Sequence, residues 1–404
     1  MRIPPFELER LQSVYEHQVE INLSESGVEP LDARTLLGMR EEPGAGGAGA
    51  DPRGADAFGD TVEALLDQPL GYSQTNGTPE LRGAIAATLP GATEAEVLGT
   101  NGGAEANFVA CWHLIEPGDE VVVMVPNYLQ IQGLAESFGA IVRPWRLRVR
   151  RAGGALRWAP DLDELHALVT PRTRTIVICN PNNPTGARLS ADEVAAVCDI
   201  AGRHGAWVLA DEIYRGAERD GVETPTAWGR TDRVIVTGGL SKAYGLPGLR
   251  IGWAVAPRAI VDALWARRDY TTIAPGALND RLARLALAPA RRAALIERAR
   301  RIIRDNFRIV SAWVDAQGPD LTCVPPEAGA LAFIRYGHAI GSTALATRLR
   351  ETERVLVPPG DHFGVDGHLR IGFGGPPDAL RAGLARLDRV LNSLPRAAPL
   401  PAGA

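Results

Sequence analysis

Through the middle of the chain, short unbroken apolar runs alternate with stretches of helical period. The runs are Glu120 to Val125, Thr175 to Cys179, Trp207 to Ala210, Arg233 to Thr237 and Ile251 to Ala256. Continuous Val/Ile-type runs are the mark of strands covered on both faces. The intervals leave room for crossover helices, of which Ala191 to Arg203 is the plainest. The pattern therefore predicts an α/β fold with a mostly parallel sheet sandwiched by helices. Beyond about residue 280 it changes to an Arg-rich helix, Arg281 to Arg304, then shorter strands and a final helix, Pro377 to Ser393. That stretch reads as a smaller α+β unit. A helix over Pro5 to Val19 lies too far from any strand for the pattern to place it. The expected organisation is a large domain over 60–278 and a small one over 279–395, joined by the N-terminal segment 1–50. A Gly/Ala/Pro-rich loop at 42–59 is expected to be mobile, and the tail 396–404 to be frayed.

Composition narrows the classes. The 404-residue chain is 45% hydrophobic, enough for a large core. Its net charge of -5 offers no basic footprint for nucleic acid. The longest apolar runs fall far short of the roughly 20 residues that span a bilayer. Met1-Arg2-Ile3-Pro4-Pro5 lacks the apolar stretch of a signal peptide, so a secretory leader is not expected. Cys111, Cys179, Cys198 and Cys323 are scattered without a CxxC pair, as small buried hydrophobes in a reducing compartment would be. The seven histidines form no HExxH, so a metal site has no support. A cytoplasmic globular protein is expected, with neither membrane nor nucleic acid as partner.

The candidate chemistry begins with scarcity. Of 43 lysine and arginine side chains one is a lysine, Lys242, inside Leu240-Ser241-Lys242-Ala243-Tyr244-Gly245. Arginine stays protonated at working pH, whereas a lysine amine can lose its proton and condense with a carbonyl. A lone amine after a strand, followed by a glycine-punctuated loop carrying Arg250, suits a Schiff-base site for a phosphorylated aldehyde. Other polar clusters follow strand ends. Asn101-Gly102-Gly103-Ala104-Glu105 opens a helix, where backbone N–H groups and the helix dipole favour a phosphate. Tyr128, in Pro126-Asn127-Tyr128, offers a face for a planar ring. Asn183 sits in the rigid turn Asn180-Pro181-Asn182-Asn183-Pro184. Asp211, in Asp211-Glu212-Ile213-Tyr214, ends a buried strand, where a carboxylate is costly without a partner.

The order of these clusters, from Asp211 through Lys242 to Arg250, resembles the fold-type I pyridoxal-phosphate enzymes. In particular it is similar to the class I/II aminotransferases of the aspartate aminotransferase-like fold. The likeness runs from about residue 20 to residue 390. It implies pyridoxal 5'-phosphate as cofactor, with Lys242 as the internal aldimine lysine and as the base that removes the Cα proton to give a quinonoid. Asp211 is then the partner of the ring nitrogen. Asn183 and Tyr214 bond the phenolic oxygen, and Tyr128 stacks on the ring. The phosphate side is formed by Gly103, Ala104 and Glu105 with Ser241 and Arg250. Gly71-Tyr72-Ser73 matches the segment whose tyrosine reaches the neighbouring subunit's phosphate, so Tyr72 implies a homodimer. His368-Leu369-Arg370-Ile371 matches the segment whose arginine grips the substrate carboxylate, beside Asn183.

Two departures stand out. Where the family commonly has a phosphate-binding Ser or Thr, this chain has Gly239. The N-terminal strand-turn reads Asn22-Leu23-Ser24-Glu25-Ser26-Gly27-Val28, placing the carboxylate of Glu25 on the substrate side. A solvated Glu25 is the plain reading; a greeting for a cationic side chain is the functional one. This segment and Arg267-Arg268-Asp269-Tyr270-Thr271-Thr272 also look similar to capreomycidine synthase-like enzymes of arginine-derived antibiotic biosynthesis.

The leading expectation is an aminotransferase acting on an α-amino acid with a 2-oxo acid acceptor. A β/γ-elimination, replacement or ring-forming enzyme of specialised metabolism would use the same residues. A non-catalytic regulator on this scaffold is disfavoured by the acidic net charge.

Overall fold

The computed structural model describes residues 3–39 and 62–395, so the loop expected at 42–59 and the tail at 396–404 lie outside the described residues. After a two-residue strand β1 (Ile21–Asn22), a large sheet is assembled from eight strands. These are β2 (Val97–Thr100), β3 (Glu120–Val125), β4 (Ile141–Ala152), β5 (Ala155–Pro160), β6 (Thr173–Cys179), β7 (Trp207–Asp211), β8 (Val234–Gly239) and β9 (Gly252–Val255). Across the sheet the order is β2-β9-β8-β7-β6-β3-β4-β5. The stretch from β8 to β4 is parallel. β9 runs antiparallel to both neighbours, and β5 to β4. All five expected strands are present in a mostly parallel sheet.

The alternation of side chains along a strand divides the core in two. Val121, Val123, Val177, Leu209, Ile235 and Ala254 face one layer. Val122, Met124, Ile176, Ile178, Val208 and Val236 face the other. The crossover helix Ala191–His204 is stopped at both ends by its own sequence. Ser190 and Glu193 form a capping box, and Gly205 closes the C-terminus in the left-handed region.

The edge hairpin β4–β5 is not legible as a buried run, because β4 alternates arginine with apolar residues. Arg148 and Arg150 reach Asp161, and Arg146 reaches Glu164. Gly153 and Gly154, at φ 56° and 85°, supply the two-residue turn, which needs positive φ at both positions. The helix expected over Arg281 to Arg304 is instead two, Ala277–Leu287 and Pro289–Ala316. Ala288 is extended (φ -55°, ψ 136°) and Pro289 starts the second helix, as the restriction on a residue before proline requires.

The smaller sheet is β10 (Leu321–Cys323), β11 (Leu331–Tyr336) and β13 (His368–Gly372), all antiparallel; β12 (Val355–Leu356) pairs in parallel with β1. The chain after β1 runs along β13, with Gly372 donating to the Leu23 carbonyl at 2.8 Å. This carries Ser24 to Gly27 over the end of the large sheet. The N-terminal helix, Glu7–Tyr15, buries Leu8 against Phe333 and Phe363 and so sits at the same edge. Among the described residues no helix is long and apolar enough to cross a membrane.

Candidate active site

Strands β6, β7 and β8 end side by side, with Cys179 paired to Asp211 and Asp211 to Thr237. Three loops leave these carboxyl ends, where ligands bind in open α/β sheets. Asp211 is buried and accepts from Asn107 Nδ2 at 2.9 Å and from the Ile213 N–H at 3.1 Å. Burial raises its proton affinity above the ordinary carboxylate range, while those two donors oppose the rise. Lys242 Nζ lines the same cavity of about 290 Å³. Its surroundings lower its pKa, chiefly by desolvation, with Glu25 opposing.

The side expected to take the phosphate is built around a bare helix start. The helix Gly103–Leu114 has Gly102 as its first flanking residue, at φ 86°, with no side chain capping it. Its free N–H groups suit an anion. Arg250, itself in the left-handed region (φ 47°), places Nη1 3.1 Å from the Pro247 carbonyl and 3.4 Å from Ser241 Oγ. A Cβ on Gly102 would lie 2.3 Å from Arg250 Nη2, so only glycine lets the guanidinium lie against this turn. Gly239 also has a steric reason. A Cβ there would meet Ile213 Cδ1 and the Ile251 carbonyl, each at 3.0 Å, which leaves poor room for the family's hydroxyl residue.

Arg370, which lines the same cavity, is 1% exposed. Its Nη1 donates to Asn183 Oδ1 at 3.0 Å and its Nη2 to the Ser24 carbonyl, while Nε has no partner among the described residues. Tyr214 is buried and donates to Ser26 Oγ at 2.8 Å; desolvation pushes its phenol well up. Glu25 Oε2 stands 3.9 Å from Lys242 Nζ. Tyr128 donates to Glu9 Oε1 at 2.6 Å, and Gln12 donates to both oxygens of Ser24.

One cavity thus gathers Glu25, Gly103, Ala104, Tyr128, Asn183, Asp211, Tyr214, Ser241, Lys242, Arg250 and Arg370. Two expected residues stand apart. Glu105 turns away from the cavity to accept from Thr271, Thr272, Arg268 and the Asn101 N–H. Burial works to raise its pKa, but these hydrogen bonds win and hold it below the ordinary value. Its place is behind the loop at Asn101, which it ties to the segment at Thr271. Tyr72 is 91% exposed and lies on the outer surface with Leu70, Thr272 and Pro275. The sequence reading missed Glu9, Gln12, Ser26, Asn107 and Gln130, all of which line the cavity. Asn107 had a usable signal, as an amide among Ala106, Val109 and Ala110 on a buried helix face.

The residues fit pyridoxal phosphate. A buried carboxylate with acceptor capacity to spare, a bare helix start beside a fixed guanidinium, and a desolvated amine converge on one space. Fold and site therefore define an enzyme of the pyridoxal-phosphate type. Residues 52–387 match the family aminotransferase class I and II. The chain belongs to this family, and it is a pyridoxal-phosphate-dependent aminotransferase-type enzyme. It is 38% identical to a capreomycidine synthase of Streptomyces vinaceus over 317 residues, 78% of this chain and 80% of that one. A pyridoxal-phosphate-dependent aminotransferase of Streptococcus suis superposes with a TM-score of 0.85 at 30% identity, covering 98% of this chain and all of the other. The pyridoxal-phosphate-dependent cyclase OrfR superposes with a TM-score of 0.83 at 29% identity, over 97% and 98% of the two chains.

Proposed function

We propose that this enzyme transfers the amino group of an α-amino acid with a cationic side chain to a 2-oxo acid, in a cytoplasmic homodimer. The observation that carries the reading is that Lys242, Asp211 and Arg370 line one cavity together. When bound, pyridoxal phosphate supplies an electron sink for the charge left at Cα. Asp211 would hold the protonated ring nitrogen, and Asn183 and Tyr214 would bond the phenolic oxygen. Tyr128 would supply an aromatic face to the ring. The N–H groups of Gly103 and Ala104, with Ser241 and Arg250, would hold the phosphate. Arg370 clamps the substrate carboxylate with charge-assisted bonds and thereby aims the Cα–H toward Lys242. Lys242 Nζ, its proton affinity lowered by burial, takes that proton. Glu25 and Glu9, facing the same cavity, receive the distal cation.

A second reading keeps these roles but ends in elimination or ring closure. It is favoured by the likeness to the capreomycidine synthase and the cyclase. One experiment separates them: the holoenzyme is mixed with a cationic α-amino acid and no acceptor. Aminotransfer releases one equivalent of 2-oxo acid per site and stops. Continued turnover without acceptor assigns the second reading.

The dimer is supported by the exposed apolar group Leu66, Leu70, Tyr72 and Tyr270, each at least 79% accessible. Mixing Lys242→Ala protein with a Tyr72→Phe variant of reduced activity is expected to restore hybrid sites. A monomer fully active at assay dilution would overturn the shared site. The four free thiols suit a reducing compartment.

A further inference from the structure

We propose that Asn107 is a positioning residue that acts through Asp211, fixing the carboxylate that meets the cofactor's ring nitrogen. The inference rests on the Asp211 role given above. Asn107 lies on the second turn of the helix whose first turn is the phosphate site, and it is 2% exposed. Its amide is fully committed. Thr237 Oγ1 donates to Oδ1 at 2.7 Å. Nδ2 donates to Asp211 Oδ2 at 2.9 Å and to Gln130 Oε1 at 3.2 Å. A carboxylate accepts only, and the threonine hydroxyl has a proton to give, so the amide can face in one direction alone. The carboxylate is correspondingly pinned: Oδ1 is held by the Ile213 N–H and Oδ2 by Asn107.

The same chain of bonds reaches the phosphate loop. Gln130, after taking a bond from Asn107, donates to the Ala104 carbonyl at 3.0 Å. Three elements, β8 through Thr237, β7 through Asp211 and the helix start at Ala104, are thereby joined by two side-chain amides. A leucine at position 107 would keep the branching of the asparagine side chain yet remove all three bonds. Asp211 would keep one donor of two and gain freedom to turn from its partner. A positioning shell of this kind typically contributes tenfold or more to binding of the group it supports.

The test compares the wild type, Asn107→Leu, Asp211→Asn and the double variant as full chains stripped of cofactor. Pyridoxal phosphate is titrated back by tryptophan fluorescence. Asn107→Leu is expected to raise the dissociation constant at least tenfold, about 1.4 kcal/mol. In the Asp211→Asn background it should change it less than twofold, because the group it acts through is already altered. Equal factors in both backgrounds, or no change in the wild-type background, overturn the proposal. Should Asp211→Asn alone leave the dissociation constant unchanged, the Asp211 role itself fails, a separate result. If Asn107→Leu does not fold, Thr237→Val decides. It removes only the donor that orients the amide and should weaken cofactor binding about threefold with Asp211 present and not in its absence. A Thr237→Val protein that binds as the wild type does overturns the proposal on that arm.

Discussion

On the floor of the cavity, Asp211, Asn107 and Thr237 are buried and tied to one another by bonds of 2.7–2.9 Å. At the rim, the Glu25 side chain is 58% exposed and stands 3.9 Å from Lys242, too far for a hydrogen bond. The floor hangs from two strands, β7 and β8, and from the helix Gly103–Leu114. The rim comes from a helix and a strand-turn that reach the site by packing on the smaller sheet. The difference teaches where each kind of function is held. The groups proposed to face the cofactor are over-determined by the fold, whereas those proposed to face the variable end of a substrate are loosely held and open to water.

The largest effect expected from breaking the floor is at Lys242. Lys242→Ala should lose roughly 10²–10⁴-fold in turnover, since no second lysine exists to replace it. Borohydride reduction of the holoenzyme followed by peptide mass analysis should find cofactor on Lys242 and nowhere in the variant. A normally active Lys242→Ala protein would end the whole reading.

Arg370 joins floor and rim, and its loss comes next. Arg370→Ala should cost about 2–5 kcal/mol in kcat/KM, thirtyfold or more, because a desolvated charge-assisted clamp is removed. A similar loss for the α-carboxylate and for its amide analogue would place the residue elsewhere than on the carboxylate.

Rim variants should be selective rather than severe. Glu25→Gln and Glu9→Gln are each expected to lower kcat/KM for L-arginine about tenfold relative to L-citrulline, which differs by its charge; tenfold is about 1.4 kcal/mol. A flat arginine-to-citrulline ratio in both variants rules out the cation site and returns Glu25 to plain solvation.

The smallest effect lies behind the floor. Glu212 follows Asp211 in the chain, is 6% exposed, and is pushed up to about 7, chiefly by burial. Its Oε1 accepts from Thr226 and the Ala227 N–H, while Oε2 has no partner among the described residues. The folded chain therefore keeps a proton that the unfolded chain gives up near its ordinary 4.5. Stability from this group is full below that pH and is lost as pH rises through about 7. Between pH 5 and 8 the melting temperature of Glu212→Gln should fall less than that of the wild type. Parallel curves would show that Glu212 does not set the slope.

How far the sequence reached follows the same division. β3, β6, β7, β8 and β9 were legible because burial on both faces demands unbroken apolar runs. Lys242, Asp211, Asn183 and Arg250 were legible because each sits at a fixed offset from such a run. The hairpin β4–β5 was not, since its arginines balance Asp161 and Glu164 at an exposed edge and mimic a polar surface. Glu105 had the right spacing for the phosphate loop, but Thr271, Thr272 and Arg268, far away in the chain, turned its carboxylate elsewhere.

By itself the sequence determined five strands of the large sheet, the family and the place of the one lysine, because these depend on local period and on residue types at fixed spacing. Tertiary structure alone decided that Glu9 meets Tyr128, that Ser26 meets Tyr214, and that Asn107 links Thr237 to Asp211. Those partners lie far apart along the chain. A hydrogen bond between distant residues is set by how the layers pack, and no local pattern encodes it.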